Sequence, residues 1–177
     1  MDSDQELIEL VNEGDPDAFE TLYYRYRDWV YRLAWRFTGN QQDALDVLQE
    51  TFIYLLGKFP GFSLTASMTT FLYPVVKHLS LALRSKNRRF TTDEEILSEL
   101  PAPVSKETGH SRSELAAVLT VLPDEQREVL LMRFVDDMSL KEIATALNIP
   151  IGTIKSRMHH ALRTLRHDRR TRDYFLE

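Results

Sequence analysis

Apolar residues in the first third of the chain recur at steps of three and four, the spacing of one face of an α-helix. One such series spans residues 19–37 and ends at a Gly-Asn pair. A second helix is predicted over about 43–59, where a Pro-Gly pair ends it. The two apolar series are Phe19, Leu22, Tyr23, Tyr26, Val30, Leu33 and Phe37, then Ala44, Leu48, Phe52, Leu55 and Phe59.

A loop is predicted over residues 62–67, and an apolar helical segment follows over about 69–83. Pro74 falls inside that segment, and because proline lacks an N–H it must kink the helix or stand in its first turn. From residue 86 the periodicity weakens, and the prolines and glycine that follow are typical of a linker. The linker residues that carry this prediction are Pro101, Pro103 and Gly109.

Helical periodicity returns at residue 113 and predicts four short helices. Pro123 ends the first of them, and the second spans about 124–135. Ser139 and Glu142 have the spacing of a capping box, which starts the third helix. After a turn over 148–152, the apolar side of the fourth helix is predicted to hold Ile154, Met158, Ala161, Leu162 and Leu165.

The whole pattern predicts an all-α fold, since no segment has the alternation of a strand. Two small helical domains are expected, over residues 1–89 and 113–177, joined by a flexible linker over 90–112.

Composition narrows the classes of function. The chain has 177 residues, a net charge of −5 and no cysteine, which excludes a disulfide scaffold, a cysteine-ligated metal site and a thiol nucleophile. No run of eighteen apolar residues occurs, and the acidic start of the chain lacks the order of a signal peptide. We therefore expect a cytoplasmic protein.

The negative total hides an uneven distribution of charge. Residues 1–60 hold twelve acidic and five basic residues, whereas residues 150–172 hold seven basic residues and one acidic residue. A second basic cluster consists of Arg84, Lys86, Arg88 and Arg89. This separation favours two kinds of partner over one. The alternative is that basic residues near helix ends only complement the helix dipole.

The last two helices and the short turn between them have the pattern of a helix-turn-helix, whose second helix enters the DNA major groove. Opposite the apolar stripe of that helix lie donors that can contact base edges or phosphates, and a plain solvated helix face is the alternative. The candidate DNA-binding residues are Thr153, Lys155, Ser156, Arg157, His159, His160 and Arg163.

Three segments of this half carry a specific resemblance: 122–133 (LPDEQREVLLMR), 139–144 (SLKEIA) and 152–157 (GTIKSR). They closely resemble the C-terminal DNA-binding domain of the extracytoplasmic-function (ECF) sigma factors, the small bacterial members of the sigma-70 family. In the N-terminal half, residues 18–23 (AFETLY) and 43–52 (DALDVLQETF) resemble sigma region two. The resemblance implies a transcription initiation factor that binds core RNA polymerase and promoter DNA, often under the control of an anti-sigma partner.

An acidic stripe on the predicted second helix suits a basic partner helix. The resemblance implies that this partner is the clamp-helix pair of the largest polymerase subunit, with the flap of the second subunit as a further contact. The candidate docking residues are Asp43, Asp46, Gln49 and Glu50. An ordinary solvated helix face is the alternative.

The 62–67 loop stands where the family captures a flipped base of the promoter minus-ten element, an arrangement that needs edge hydrogen bonds and apolar contact. The residues assigned to this contact and its basic patch are Ser63, Leu64, Thr65, Ala66, Ser67, Lys77, His78, Arg84 and Arg88. A plain helix connection is the alternative. Lys77, His78 and Ala82 depart from the family's usual Arg, Asn and Asp, and Phe71 stands where Trp is common. Pro74 is unusual too, and His160 replaces a frequent Arg.

Two other classes of protein are the alternatives. A response-type regulator would need an α/β N-terminal domain with a phosphorylated Asp after a strand, and no strand pattern is present there. An enzyme would need a catalytic or metal-ligating constellation, but no histidine stands in HExxH or similar spacing. We therefore expect no catalytic residue, no metal and no cofactor. The five histidines are His78, His110, His159, His160 and His167.

Overall fold

The structure is a computed structural model that describes residues 3–90, 119–168 and 171, with side chains as far as residue 87 in the first of these ranges. The chain divides into two compact units, an N-terminal unit over 1–101 and a C-terminal unit over 102–177. The described residues form helices and no strand, in agreement with the all-α prediction. The helices of the N-terminal unit are α1 (Asp4–Asn12), α2 (Pro16–Thr38), α3 (Gln41–Leu56) and α4 (Met68–Phe90).

Helix α1 begins at a capping box in which the side chains of Ser3 and Glu6 each accept a hydrogen bond from the other residue's backbone N–H. The bond from the Ser3 N–H lowers the pKa of the Glu6 carboxyl, because it stabilises the charged form. Leu7, Ile8 and Val11 are buried. The apolar series that predicted the first helix began at Phe19, so the sequence pattern gave no bounds for α1.

Helices α2 and α3 meet at a two-residue corner. Gly39 ends α2 in the left-handed conformation (φ 82°), and the Asn40 side chain accepts a hydrogen bond from the N–H of Asp43 at the start of α3. This corner confirms the end that the Gly-Asn pair predicted for the first helix.

Apolar side chains from α1 to α4 form the core of the N-terminal unit. The predicted stripes of α2 and α3 supply much of it, because residues three and four apart share one helix face. The largest fully buried side chains here are Leu7, Leu22, Leu33, Leu55, Met68, Leu72, Tyr73 and Val30.

Two helix boundaries differ from the prediction. Helix α3 ends at Leu56, and the N–H groups of Lys58 and Phe59 bond to carbonyls three residues back in a closing turn. The apolar character of Phe59 extended the predicted stripe because this ring packs on Phe19 and Phe62 from outside the helix.

Helix α4 is longer than predicted at its C-terminal end, reaching Phe90 rather than residue 83. Residues 86–90, where the pattern indicated the start of the linker, are therefore helical. Pro74 is the seventh residue of α4 and lies in neither the first turn nor a break. Pro74 is exposed, and because it has no N–H it cannot bond to the Thr70 carbonyl, but the helix continues past it.

The C-terminal unit contains α5 (Asp124–Phe134), α6 (Leu140–Leu147) and α7 (Ile151–His167). Ser139 and Glu142 form the predicted capping box at the start of α6. Asn148 ends α6 in the left-handed conformation (φ 52°), and α7 begins two residues earlier than Thr153. The predicted short helix before Pro123 falls mostly on residues outside the described ranges.

Buried apolar side chains of α5, α6 and α7 pack together, and Ile143, Ile154 and Met132 are fully buried. One prediction was wrong: Leu162 is 44% exposed and does not belong to the apolar side of α7. It lies at the edge of the stripe formed by Met158, Ala161 and Leu165, where a leucine meets solvent as readily as core.

Candidate nucleic-acid interface and docking face

Helix α7 presents a polar face opposite its buried stripe. Ile154, Met158 and Ala161 are buried, which turns Ser156 and Arg163 outward at 100° per residue. The predicted DNA-binding residues that are exposed are Thr153, Lys155, Ser156, His159, His160 and Arg163. We call this set the recognition face. It combines cations with hydroxyl and imidazole groups, which suits contact with phosphates and base edges.

Arg157 differs from its neighbours on α7. It is half-buried, and its guanidinium lies 2.5 Å from a carboxylate oxygen of Glu125 on α5. This side chain therefore joins two helices of the unit, a role that the position on α7 did not reveal. Glu125 stands far from α7 in sequence, so spacing alone gives no sign of the pair.

The 62–67 loop connects α3 to α4 on the N-terminal unit. Ser63 and Thr65 are exposed, whereas Leu64, Ala66 and Ser67 are half-buried. The loop therefore alternates exposed residues that carry hydroxyl groups with half-buried apolar residues, which is the composition expected of a pocket for an unstacked base.

Two sets of contacts hold the ends of this loop. Asn12 of α1 bonds to the backbone of Gly61 and Phe62. At the other end, the Ser67 hydroxyl lies 2.7 Å from the Thr70 hydroxyl and accepts a bond from the Thr70 N–H. Asn12 had no signal in the sequence pattern, because its partners lie about fifty residues away.

Aromatic rings form a continuous cluster beside the loop. Phe62 packs on Phe71, with ring centroids 4.9 Å apart, and Phe71 stacks on Tyr54. The Lys58 ammonium lies 4.4 Å from the centre of the Tyr54 ring, within cation–π range. These ring contacts hold Phe62, which is the first residue of the loop.

The side chains of the predicted basic patch near the loop differ in their contacts and exposure. The Arg84 guanidinium donates to the carbonyl of Phe37 at 3.0 Å, so it satisfies an orphan carbonyl near the end of α2. Lys77 is half-buried and His78 is exposed on α4. The side chain of Arg88 lies outside the described residues.

Helix α3 carries the predicted docking residues, and the structure separates them. Asp46, Gln49 and Glu50 are exposed, whereas Asp43 is half-buried. The Asp43 carboxylate accepts hydrogen bonds from the Asn40 amide at 2.9 Å and the Asn87 amide at 3.1 Å. Asp43 therefore ties α3 to α4 within the fold.

Exposed apolar residues accompany those polar residues on α3. Leu45, Ile53 and Leu56 are 41%, 54% and 51% exposed. Asp46, Gln49 and Glu50 also line one wall of a groove of about 400 Å³, whose other wall is α4. We call the exposed set Leu45, Asp46, Gln49, Glu50, Ile53 and Leu56 the docking face. Apolar area beside carboxylates is what a protein partner with basic and apolar residues requires.

The described residues form neither a metal centre nor a membrane-spanning helix. Among the described residues, no three His, Asp or Glu side chains converge as metal ligands. Over the same ranges, no helix is both long and apolar enough to cross a bilayer.

The chain matches two family models. Sigma-70 region 2 matches residues 22–90, and sigma-70 region 4 matches residues 118–167. The first match contains the docking face and the 62–67 loop, and the second contains the recognition face.

Full-length relatives are similar along almost the whole chain. The ECF RNA polymerase sigma factor SigW of Bacillus subtilis is 32% identical over 90% of this chain and 92% of its own. The RNA polymerase sigma-H factor of Pseudomonas aeruginosa is 29% identical over 91% of each chain.

Solved structures share the fold at lower identity. CnrH, solved with the cytosolic domain of CnrY, has a TM-score of 0.67 and 20% identity, over 92% of this chain and 94% of that one. The sigma factor RpoE of Bartonella quintana, solved with the anti-sigma factor NepR, has a TM-score of 0.60 and 18% identity, over 89% and 96%. Both family models and the similarity to SigW lead to one conclusion: the chain belongs to the ECF subfamily of the sigma-70 RNA polymerase sigma factors.

Proposed function

We propose that this sigma factor directs core RNA polymerase to promoters through three surfaces with separate tasks. The docking face binds polymerase, and the 62–67 loop and the recognition face bind the two promoter elements. The observation that carries the proposal is that each family match contains an exposed surface with the chemistry that its task requires.

The recognition face is proposed to bind the minus-thirty-five element as a duplex. Lys155 supplies phosphate contacts at the flank, and Ser156, His159, His160 and Arg163 face the base edges. The exposure of these side chains opposite a fully buried stripe supports this assignment. Arg157, assigned to this face on its sequence position, is paired with Glu125 of α5 and would contact a phosphate only when released from that pair.

The 62–67 loop is proposed to hold an unstacked base of the minus-ten element. Ser63 and Thr65 supply edge hydrogen bonds, and Leu64 and Ala66 supply apolar contact. Lys77, Arg84 and Arg88 contribute positive charge for the strand backbone, and His78 contributes an exposed imidazole that can hydrogen-bond to it. Because Lys77, His78 and Ala82 depart from the usual pattern, the base preferred here is expected to differ from that of other family members.

The docking face is proposed to bind the clamp helices of the largest polymerase subunit, with the second subunit's flap as a further contact of the factor. Asp46 and Glu50 attract basic residues, and the exposed leucines and isoleucine give apolar area. Asp43, included on sequence grounds, supports this face by holding α3 against α4.

The mechanism requires binding energy and no covalent step. Capture of an unpaired base in the loop pays the cost of unstacking, so the promoter opens as the complex tightens. We accordingly propose that the protein has no enzymatic activity or cofactor of its own and that it acts in the cytoplasm, where its DNA and polymerase are.

An anti-sigma factor is proposed as the regulator. The support is the fold shared with CnrH and with RpoE, which were each solved in complex with another protein. Co-purification of the chain from stressed and unstressed cells tests this. A chain that is always free, or found only on polymerase, would contradict it.

Reconstitution tests the main proposal. The full chain is mixed with purified core RNA polymerase, and the holoenzyme selects promoters from a random DNA library, with start sites mapped from the transcripts. We expect a stable complex and selected sequences that share two spaced elements. A folded chain that neither binds core polymerase nor starts transcription at fixed positions would refute the proposal.

A further inference from the structure

Asn12, the last residue of α1, makes the polar contacts that fix the entry to the 62–67 loop. Its side-chain oxygen accepts from the N–H of Gly61 at 2.6 Å and the N–H of Phe62 at 3.1 Å. Its side-chain NH₂ donates to the carbonyl of Phe62 at 2.8 Å. One half-buried amide thus satisfies three backbone groups that lie outside any helix.

An amide is the side chain suited to this contact, because it offers a donor and an acceptor on one planar group. Asp would lose the donor to the Phe62 carbonyl, and an apolar residue would lose all three bonds. Gly61 adopts φ +96°, a left-handed conformation that glycine reaches without strain. The bonds from Asn12 therefore help to hold a backbone turn that glycine alone leaves free to change.

Helix α1 gives Asn12 a firm base. The Asp4 carboxylate pairs with the Arg25 guanidinium of α2 at 2.6 Å, and it also accepts a hydrogen bond from the Tyr26 hydroxyl. Burial raises the pKa of Tyr26, and the bond to Asp4 raises it further, so the hydroxyl remains a donor. With the buried side chains Leu7 and Val11, these contacts lock α1 onto the domain.

We propose that Asn12 is a positioning residue for minus-ten recognition: it sets the path of the 62–67 loop from a helix that precedes the sigma region 2 match. The inference rests on the proposed function of that loop. It assigns Asn12 no contact with DNA. Its role is to keep Phe62 on Phe71 and so to hold the following residues in one conformation before the strand arrives.

The test compares full-length Asn12→Ala with wild type in the reconstituted holoenzyme. Ser3→Ala is the matched control, because it weakens the start of the same helix and leaves the loop contacts in place. Transcription is measured from the selected promoter, from versions substituted in the minus-ten element and from versions substituted in the minus-thirty-five element. Affinity for core polymerase and thermal melting are measured in parallel.

For Asn12→Ala we expect about a tenfold loss of preference for the selected minus-ten element, roughly 1.4 kcal/mol. Preference for the minus-thirty-five element and affinity for core polymerase should stay within twofold of wild type. Ser3→Ala should keep all three values. If Asn12→Ala does not melt cooperatively, Asn12→Asp replaces it, with a loss of at least threefold expected.

Two results would overturn the inference. One is an Asn12 variant that keeps the minus-ten preference within twofold. The other is an equal loss in the Asn12 and Ser3 variants, which would mean that Asn12 only stabilises the fold. Failure of the proposed function is distinguishable from both, because the wild-type holoenzyme would then show no minus-ten preference at all.

Discussion

The Arg157 guanidinium has two possible partners, Glu125 and a DNA phosphate, and it cannot bind both at once. It stands in the basic series of α7, yet its side chain is only 24% exposed and is paired with Glu125. Glu125 is 69% exposed, so water screens the pair and its net contribution to stability is less than about 1 kcal/mol. The pair therefore places a carboxylate beside a DNA-binding helix at little gain in stability.

Replacing Glu125 by Gln is expected to tighten binding to the minus-thirty-five duplex a few-fold. The change removes one negative charge and releases Arg157 for a phosphate, which should also steepen the salt dependence by about one counterion. Fluorescence anisotropy of holoenzyme on labelled promoter DNA, at several salt concentrations, measures both. In an Arg157→Ala background the effect of Glu125→Gln should shrink. Weaker binding by Glu125→Gln would mean that the brace itself matters more than the freed charge.

Arg163 stands at the centre of the recognition face, directly opposite the buried stripe of α7. Its replacement by Ala is expected to weaken promoter binding by about 1–3 kcal/mol, because a base contact is lost. Arg32→Ala removes the same charge from an exposed position of α2 and should change affinity less than twofold. Equal losses in the two variants would show that only net charge matters. Competition binding with wild-type and substituted minus-thirty-five duplexes measures the difference.

At the scale of the helix, α3 performs two tasks with opposite faces. Its inner face buries Ala44, Val47, Phe52 and Leu55, and its outer face keeps carboxylates and apolar side chains in water. The exposed leucines and isoleucine of the outer face are the apolar area that the proposed polymerase partner would cover.

Glu50→Lys is expected to lower affinity for core polymerase at least tenfold at low salt, because a like charge now faces a basic partner. The loss of affinity should become smaller as the salt concentration rises, since the Debye screening length falls to about 10 Å at 0.1 M salt. Glu20→Lys, an identical change at an exposed position of α2, is the control and should bind as wild type does. Equal weakening of the two variants would contradict the assignment of this face.

Helix ends were predicted most accurately where the signal lies between residues close together in the sequence. The Ser139–Glu142 capping box and the Gly39 ending involve residues at most four apart, and the structure has both. The end of α4 could not be predicted, because the polar residues 84–87 weaken the periodicity while the helix continues through them. One contact in this part of the helix, the bond from Asn87 to Asp43, joins residues 44 apart in sequence.

The same contrast between short-range signals and contacts of distant residues applies to the candidate site. Exposure of the recognition face followed from period alone, since the apolar stripe fixes the opposite side. The partners of Asn12, Arg157 and Arg84 could not be predicted, because each bond joins groups that only tertiary packing brings together. These three contacts are also what distinguishes a supporting side chain from one that is free to bind DNA.

At the scale of the whole molecule, charge is sorted by position. The N-terminal third is acidic and the end of the C-terminal unit is basic, which suits the proposed division between a protein partner and DNA. The same division accounts for a net negative charge in a protein that binds DNA.

The two promoter contacts belong to separate compact units, so their energies are expected to add. Combining Thr65→Ala with Arg163→Ala should weaken promoter binding by the sum of the single effects to within about 0.5 kcal/mol. The coupling energy between the two substitutions is obtained from a double-mutant cycle, in which the equilibrium binding of each holoenzyme to the selected promoter is measured. A coupling well above that figure would indicate that one contact forms only after the other.

Helix α1 also has a practical consequence for the choice of fragments. The sigma region 2 match begins at residue 22, and a truncation placed there would look natural from sequence similarity. Such a fragment would discard the buried Leu7, Ile8 and Val11 and expose the apolar surface that they cover. It would also cut away Asn12 while keeping the loop that Asn12 holds. The smallest faithful fragment of this domain for crystallisation or screening therefore starts at or before Ser3.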